Sequence, residues 1–272
     1  MTSSRRQPLF LLVLPWAGAA IVLLAAVLGA FVTPYDPLAV NLDLKFQPPN
    51  AVHWMGTDYL GRDVLSRVIA GAHLALRSAA LILVSSAVLG IVIGLISGYY
   101  GGVVDEIFMR VTDIFIAFPG LILAMAIAAA LGPNLDNAML AIAAVWWPPY
   151  ARLIRAQVLT TRERDYITAA RGLGANDLRI LFLHILPNVI PPFVVQIASD
   201  VGPALVTTSS LSFIGMGAQP PTPEWGSMVS DGRQYLLDSW WMSTFPGAAI
   251  FVTVLVFNAV SESLRRALEL KR

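Results

Sequence analysis

Long apolar runs separated by short polar stretches set the pattern of this chain. About 20 apolar residues at roughly 1.5 Å each are needed to cross about 30 Å of hydrocarbon. Six stretches reach that length: Leu9 to Val32, Ser78 to Tyr99, Phe108 to Leu131, Ala138 to Leu159, Val189 to Leu211 and Ser243 to Val260. Backbone polar groups in lipid have to be paired within their own segment, so all six are predicted helical and the chain all-α, an integral membrane protein with six transmembrane helices. The first run follows Arg5 and Arg6, as in a signal peptide, but is longer than the roughly 7–15 apolar residues of a signal core. Pro148 and Pro149 interrupt the fourth run, and Arg152 and Arg155 lie near its end, so a kinked or short helix is expected there.

The polar segments orient the spans. With the N-terminus inside, inner segments hold Arg5, Arg6, Arg110, Arg152, Arg155, Arg162, Arg164, Arg171, Arg179, Arg265, Arg266, Lys271 and Arg272. Of the 18 basic residues, only Lys45, Arg62, Arg67, Arg77 and Arg233 are left outside. Basic residues are retained on the cytoplasmic side, so both termini are expected there, with outer loops at about 33–77, 132–137 and 212–242. In the first of these loops, the turn-rich Thr33 to Pro37 leads to a stretch, Asp63 to Leu76, whose apolar residues Val64, Leu65, Val68, Ile69, Ala72 and Leu76 recur at helical spacing. Such a stretch either lies as an amphipathic helix on the membrane surface or feeds the second span.

Composition agrees. Apolar residues make up 57% of the 272, charged residues 13%, and the mean hydropathy is +0.69. Ordinary globular domains have about 45–50% and about 25%. A net charge of +1, with basic residues at membrane edges, gives no nucleic-acid surface. The absence of cysteine excludes disulfides and thiolate chemistry. The only lysines are Lys45 and Lys271, each after a leucine, so no phosphate-binding G-x-x-x-x-G-K-[ST] loop exists. His53, His73 and His184 are scattered singly, which suits packing better than metal ligation. No catalytic residue and no metal site are expected, and energy for uphill transport has to come from elsewhere.

One inner segment has an unusual form for a loop. From Asp165 to Asn188, a helix-forming run through Arg171 meets Gly172 and Gly174, which can adopt the left-handed conformation that ends a helix. Asn176 or Asp177 can then cap a second helix with Leu178, Leu181, Phe182 and Ile185 on one stripe, ended by Pro187. Ala169 and Ala170 would let a partner's backbone approach closely. Spacing alone leaves open whether this unit docks a protein or lies among lipid headgroups.

The spacing resembles the EAA loop of ABC importer permeases, E-A-A-x-x-x-G followed by L-P, as Thr168, Ala169, Ala170, Gly174, Leu186 and Pro187. Thr168 stands where the motif has glutamate, and His184 where isoleucine is usual. Further stretches, His53 to Ala72, Gly101 to Ala124 and Leu211 to Arg233, resemble the second permease subunit of peptide and nickel importers. The resemblance implies the ABC importer permease (MetI-like) fold in a bacterial inner (plasma) membrane. It also implies a sister permease, two cytoplasmic ATP-binding subunits that carry ATP and Mg, an external solute-binding protein, and no cofactor in this chain. In that family the loop couples to the ATPase, so Thr168, Ala169, Ala170, Arg171, Gly172, Gly174, Leu186 and Pro187 are the expected contact. The domains implied are 1–76, an N-terminal transmembrane helix with an external loop, and 77–272, a five-helix core with its coupling loop at about 160–187. Peptides are the first substrate class to consider, and nickel or another small solute the alternative.

Within this frame, Asp200, with Gln196 one turn earlier, is an acidic residue at mid-depth of the fifth span. Such groups face a bundle interior or a water-filled path. Asp200 therefore either lines the translocation route, where it could attract a cationic or amino-terminal group, or ties helices together. Gly90, Gly94 and Gly98 repeat on one face of the second span, which suits close helix packing or a pore lining. The outer Gly215 to Met228 segment could close the outer mouth or receive the binding protein, with Trp225 as an interfacial anchor in the plainer reading. A self-contained secondary transporter is the rival, and it would need inverted repeats and midplane ion sites, of which only Asp200 is a candidate.

Overall fold

The computed structural model describes residues 9–269, so Arg5, Arg6, Lys271 and Arg272 of the orientation argument lie outside it. Among the described residues the regular elements are helices, with one isolated bridge between Thr57 and Asp63. In chain order they are α1 (Leu9–Val32), α2 (Val64–Tyr100), α3 (Gly102–Ala117), α4 (Gly120–Leu131), α5 (Leu135–Arg162), α6 (Asp165–Gly172), α7 (Asp177–Arg179), a π-wound turn (Ile180–Ile185), α8 (Leu186–Phe213), α9 (Trp225–Gly232) and α10 (Trp241–Glu269). By length and composition three helices can cross a membrane: Val64–Tyr100, Asp177–Phe213 and Trp241–Ala267. The bent pair α3 and α4 makes a fourth if counted as one, and α1 holds the shorter apolar stretch Leu14–Gly29.

One open alternative closes and two boundaries differ from the sequence reading. The stretch Asp63 to Leu76 is no separate surface helix: α2 begins at Val64 and runs unbroken for 37 residues into the second span. The single helix expected over Phe108 to Leu131 is instead two, bent by 90° at Phe118 and Pro119. A residue before proline is driven out of the α region, and Phe118 is extended at φ −93°, ψ 143°. Conversely, α5 continues through Pro148 and Pro149. Prolines are tolerated in transmembrane helices when the surrounding structure serves the freed backbone.

The chain folds as two compact units. One takes in residues up to Ala79, Pro133–Leu135 and Val201 onward; the other is Ala80–Gly132 with Asp136–Asp200. In the first unit the irregular segment 33–63 is pinned to helices by indole and guanidinium donors. Trp241 Nε1 donates to the Thr57 carbonyl at 3.0 Å, and Arg67 Nη1 to the Pro37 carbonyl at 3.1 Å. Arg62 Nε reaches Asp58 at 2.6 Å with both side chains buried. His53 pairs with Asp63 at 2.9 Å, and Asp63 in turn caps α2 by accepting the Ser66 N–H at 2.8 Å. Trp225 is no interfacial anchor: it is 3% exposed and donates to the Val68 carbonyl at 2.8 Å.

Glu224 caps α9, accepting the Ser227 N–H at 2.8 Å, and is 1% exposed. Burial pushes its carboxyl above the ordinary value of 4.5. The folded state therefore holds this proton more tightly than the unfolded chain. The stability it contributes is full below the ordinary value and is lost as pH rises through the raised one. Compared with wild type, detergent-solubilised Glu224→Gln is expected to lose a part of the pH dependence of the unfolding temperature, the part in which acidification stabilises. Burial shifts Asp231 in the same direction. Identical pH profiles for wild type and variant would contradict the assignment.

In the second unit α2 packs on α5 through its small residues. A Cβ added at Gly90 would lie 2.4 Å from Tyr150 Cβ, at Gly94 2.6 Å from the Ala151 carbonyl oxygen, and at Gly98 2.8 Å from Val158 Cβ. The glycine stripe is thus a helix-packing face.

Candidate functional site

The segment after α5 folds into a helical elbow in the second unit. Helix α6 is anchored by Ile167, which is fully buried. Its end is closed in a left-handed cap: Gly174 has φ +84°, its N–H donates to the Arg171 carbonyl at 3.0 Å, and the Ala175 N–H donates to the Ala170 carbonyl at 3.1 Å. That pair of bonds satisfies carbonyls the helix leaves open, and only glycine takes the conformation without strain. Of the two glycines expected to turn the chain, Gly174 does so; Gly172 is the last residue of α6. Asn176 then caps the next helix, its side chain accepting the Arg179 N–H at 2.8 Å.

Pro187 does not end that helix. α7, the π-wound turn and α8 run together as one 37-residue helix, Asp177–Phe213. Proline lacks an N–H and its ring crowds the carbonyl four residues back. Here the preceding turn is wound wider, with the Leu186 N–H on the Leu181 carbonyl. The expected stripe is split. Ile180, Leu181 and Ile185 are buried, while Leu178 and Phe182 are exposed.

The elbow presents apolar side chains to the outside. Leu173 at its apex is 89% exposed, and Leu178, Phe182 and Leu183 are each more than half exposed. Arg162, Glu163, Arg164, Asp165, Arg171, Asp177 and Arg179 surround them in sequence, which keeps the elbow out of hydrocarbon. Thr168 and Ala169 are exposed on α6, Arg171 and Gly172 likewise, and Ala170 is half-buried. α6 packs on the π-wound turn, and Leu186 and Pro187 directly follow that turn. Gln196 and Asp200 are not part of this group. They lie further along α8, Asp200 about 20 Å beyond Leu186 at about 1.5 Å per residue.

Residues not singled out in the sequence hold the elbow in place. The Tyr99 hydroxyl at the end of α2 donates to Asp177 Oδ1 at 2.6 Å, and Arg171 Nη2 lies 3.4 Å from the same hydroxyl. One side chain therefore touches both arms. Arg162 Nη1 donates to the Gly98 carbonyl at 2.8 Å, and Arg155 grips Asp105 with two bonds of 2.5 Å. Two-pronged guanidinium–carboxylate pairs are the strong kind. Tyr99 was legible only as an aromatic at a span end, because its partners lie more than seventy positions away in sequence.

A cleft of about 350 Å³ opens in the same unit, with Phe115, Phe118, Trp146, Tyr150, Gln196 and Asp200 on its walls. Asp200 Oδ2 accepts the Tyr150 hydroxyl at 2.9 Å, and Gln196 Nε2 lies 3.1 Å from both carboxylate oxygens. Asp200 therefore bonds across from α8 to α5 and also faces open space.

Residues 90–272 match the family model described as the binding-protein-dependent transport system inner membrane component. The chain is 43% identical over 251 residues to the probable D,D-dipeptide transport system permease protein DdpC of Escherichia coli, covering 92% of this chain and 84% of that one. It is 41% identical over 257 residues to the dipeptide transport system permease protein DppC of Haemophilus influenzae, covering 92% and 87%. It is 40% identical over 258 residues to the glutathione transport system permease protein GsiD of Pectobacterium atrosepticum, covering 94% and 86%. The fold resembles a crystal structure of an amino acid ABC transporter with histidines, at a TM-score of 0.57 and 18% identity over 74% of this chain and 94% of that one. With its family pattern covering α5, the elbow and every helix after it, the chain belongs to the inner membrane permeases of binding-protein-dependent transport systems, as a multi-pass, non-catalytic component.

Proposed function

We propose that this chain is one of two pore-forming subunits of an ATP-driven importer of short peptides, and that the elbow is where it grips a cytoplasmic ATPase. The observation that carries the reading is the exposed apolar apex, Leu173 with Leu178, Phe182 and Leu183, on a segment too charged to lie in lipid. A protein groove is the environment that suits it. Peptides are supported as the substrate class because relatives at 40–43% identity carry the names dipeptide, D,D-dipeptide and glutathione permease.

In this reading the chain crosses the membrane six times, through α1, α2, the bent pair α3 and α4, α5, α8 and α10, with both termini in the cytoplasm. Residues 1–76 form the N-terminal helix and outer segment, and 77–272 the five-helix core. A sister permease, two ATP-binding subunits and an external solute-binding protein complete the machine. Thr168, Ala169, Ala170 and Arg171 form the docking face, Gly172 the end of α6, Gly174 the turn, and Leu186 and Pro187 the lead into α8. Gln196 and Asp200 line the path. Nucleotide-driven closure of the ATPases moves the elbow as a body, and α5, which ends at it, and α8, which begins from it, move with it.

The knot at Tyr99 extends that motion to α2. Tyr99→Phe keeps the ring and removes the hydroxyl, leaving both arms of the elbow without their common tie. Uptake per ATP hydrolysed is expected to fall roughly threefold, in line with couplings of about 0.5–2 kcal/mol at such positions. An unchanged transport-to-hydrolysis ratio would show that the tie carries no force.

Affinity isolation of the tagged chain from mild detergent tests the whole reading. Co-isolation of a second permease and an ATP-binding subunit is expected. Recovery of the chain alone, together with solute transport by it in liposomes, would overturn it in favour of a secondary transporter.

A further inference from the structure

The cleft of the second unit has a chemistry that docking to an ATPase does not use. We propose that it is a binding subsite for the ammonium end of a short peptide in transit, with aromatic walls that hold the ligand's apolar part; this rests on the peptide-importer reading above. A carboxylate offers about four acceptor positions. Tyr150 takes one on Asp200, and the Gln196 amide nitrogen spans two more. At least one position is left for a donor from outside. Both neighbours act on Asp200 as donors, so it is held as an acceptor facing the cleft, and Tyr150, 2% exposed, fixes it there.

The charge balance points the same way. An ionised carboxylate midway along an apolar helix is costly unless a positive charge or water meets it. No residue lining the cleft is basic. An incoming ammonium is the complementary group, and it carries three N–H donors. Pro149 has no N–H to give the Val145 carbonyl, and both residues line the cleft. Phe115, Phe118 and Trp146 supply faces for an apolar side chain and for cation–π attraction. A volume of about 350 Å³ lies within the usual range of small-molecule sites, about 300–1,000 Å³, and suits a dipeptide.

The test uses photolabelling and uptake together. The permease–ATPase complex, without the binding protein, is irradiated with alanyl-benzoylphenylalanine, so that the subsite's own preference is read. Adducts are expected on the segments 115–120 and 145–150. Excess alanylphenylalanine should suppress them, and its N-acetylated form should not. In the full importer, Asp200→Asn is expected to lower the maximal uptake rate of alanylphenylalanine about tenfold, the scale of one charge-assisted hydrogen bond. Half-saturation, set by the binding protein, stays unchanged, and Asp200→Glu restores part of the rate. If wild type imports the dipeptide but is labelled only elsewhere, or is protected equally by the N-acetylated form, the subsite is wrong while the importer reading stands. If wild type imports no peptide at all, the substrate reading fails and the subsite with it. The labelling is done on unaltered protein, so a variant that fails to assemble cannot mask the result.

Discussion

Replacing Leu173 by Asp is expected to abolish uptake by the assembled importer while leaving the permease folded in the membrane. Leu173 is 89% exposed and sits just before the glycine that turns the elbow, so this chain loses almost no packing when it changes. The cost falls on the partner. An unpaired carboxylate forced into an apolar groove costs several kcal/mol, and about 1.4 kcal/mol is tenfold, so uptake should drop by about a hundredfold or more. Co-isolation of the ATP-binding subunit should be lost in parallel. Normal uptake by the variant would place the ATPase contact elsewhere.

The second large effect lies in the membrane. Gly94 faces α5 so closely that an added Cβ would stand 2.6 Å from the Ala151 carbonyl oxygen and 2.6 Å from Ile154 Cβ. Backbone cannot move aside as the end of a flexible side chain can. Overpacking of this kind costs about 1–3 kcal/mol even for added methylenes in soluble cores, and Gly94→Leu adds a whole branched side chain against a helix axis. The variant is expected to accumulate at a small fraction of the wild-type level in the membrane and to lose its sharp thermal transition in detergent. Gly172→Leu is the control, because a Cβ there meets nothing within 4 Å. Equal accumulation of the Gly94 variant and wild type would mean that α2 and α5 do not pack as described.

These two sites show what could be read in the residues alone. Apolar runs pointed to helices because lipid requires backbone groups to be paired within their own segment, although the run over Phe108 to Leu131 is two helices, and the glycine repeat pointed to a packing face. The left-handed turn at Gly174 and the cap at Asn176 were also legible, since both depend on a few adjacent residues. Proline was harder to read. Pro119 breaks a helix where none was expected, whereas Pro148, Pro149 and Pro187 are accommodated. Pro187 follows a π-wound turn, and that winding is not displayed by a sequence. Likewise, the apolar stripe expected over Leu178, Leu181, Phe182 and Ile185 is split, with Leu181 and Ile185 buried and Leu178 and Phe182 exposed. The Tyr99 tie and the aromatic cleft at Asp200 join residues far apart in the chain, and no spacing rule reaches them.

Reconstitution tests the central claim most directly. This chain, with a sister permease, two ATP-binding subunits and a peptide-loaded binding protein, is placed in liposomes with ATP on the elbow side, and labelled dipeptide is followed. The account predicts accumulation of peptide on the elbow side that requires both ATP and the binding protein. Accumulation by this chain alone, driven by an ion gradient without ATP, would contradict it.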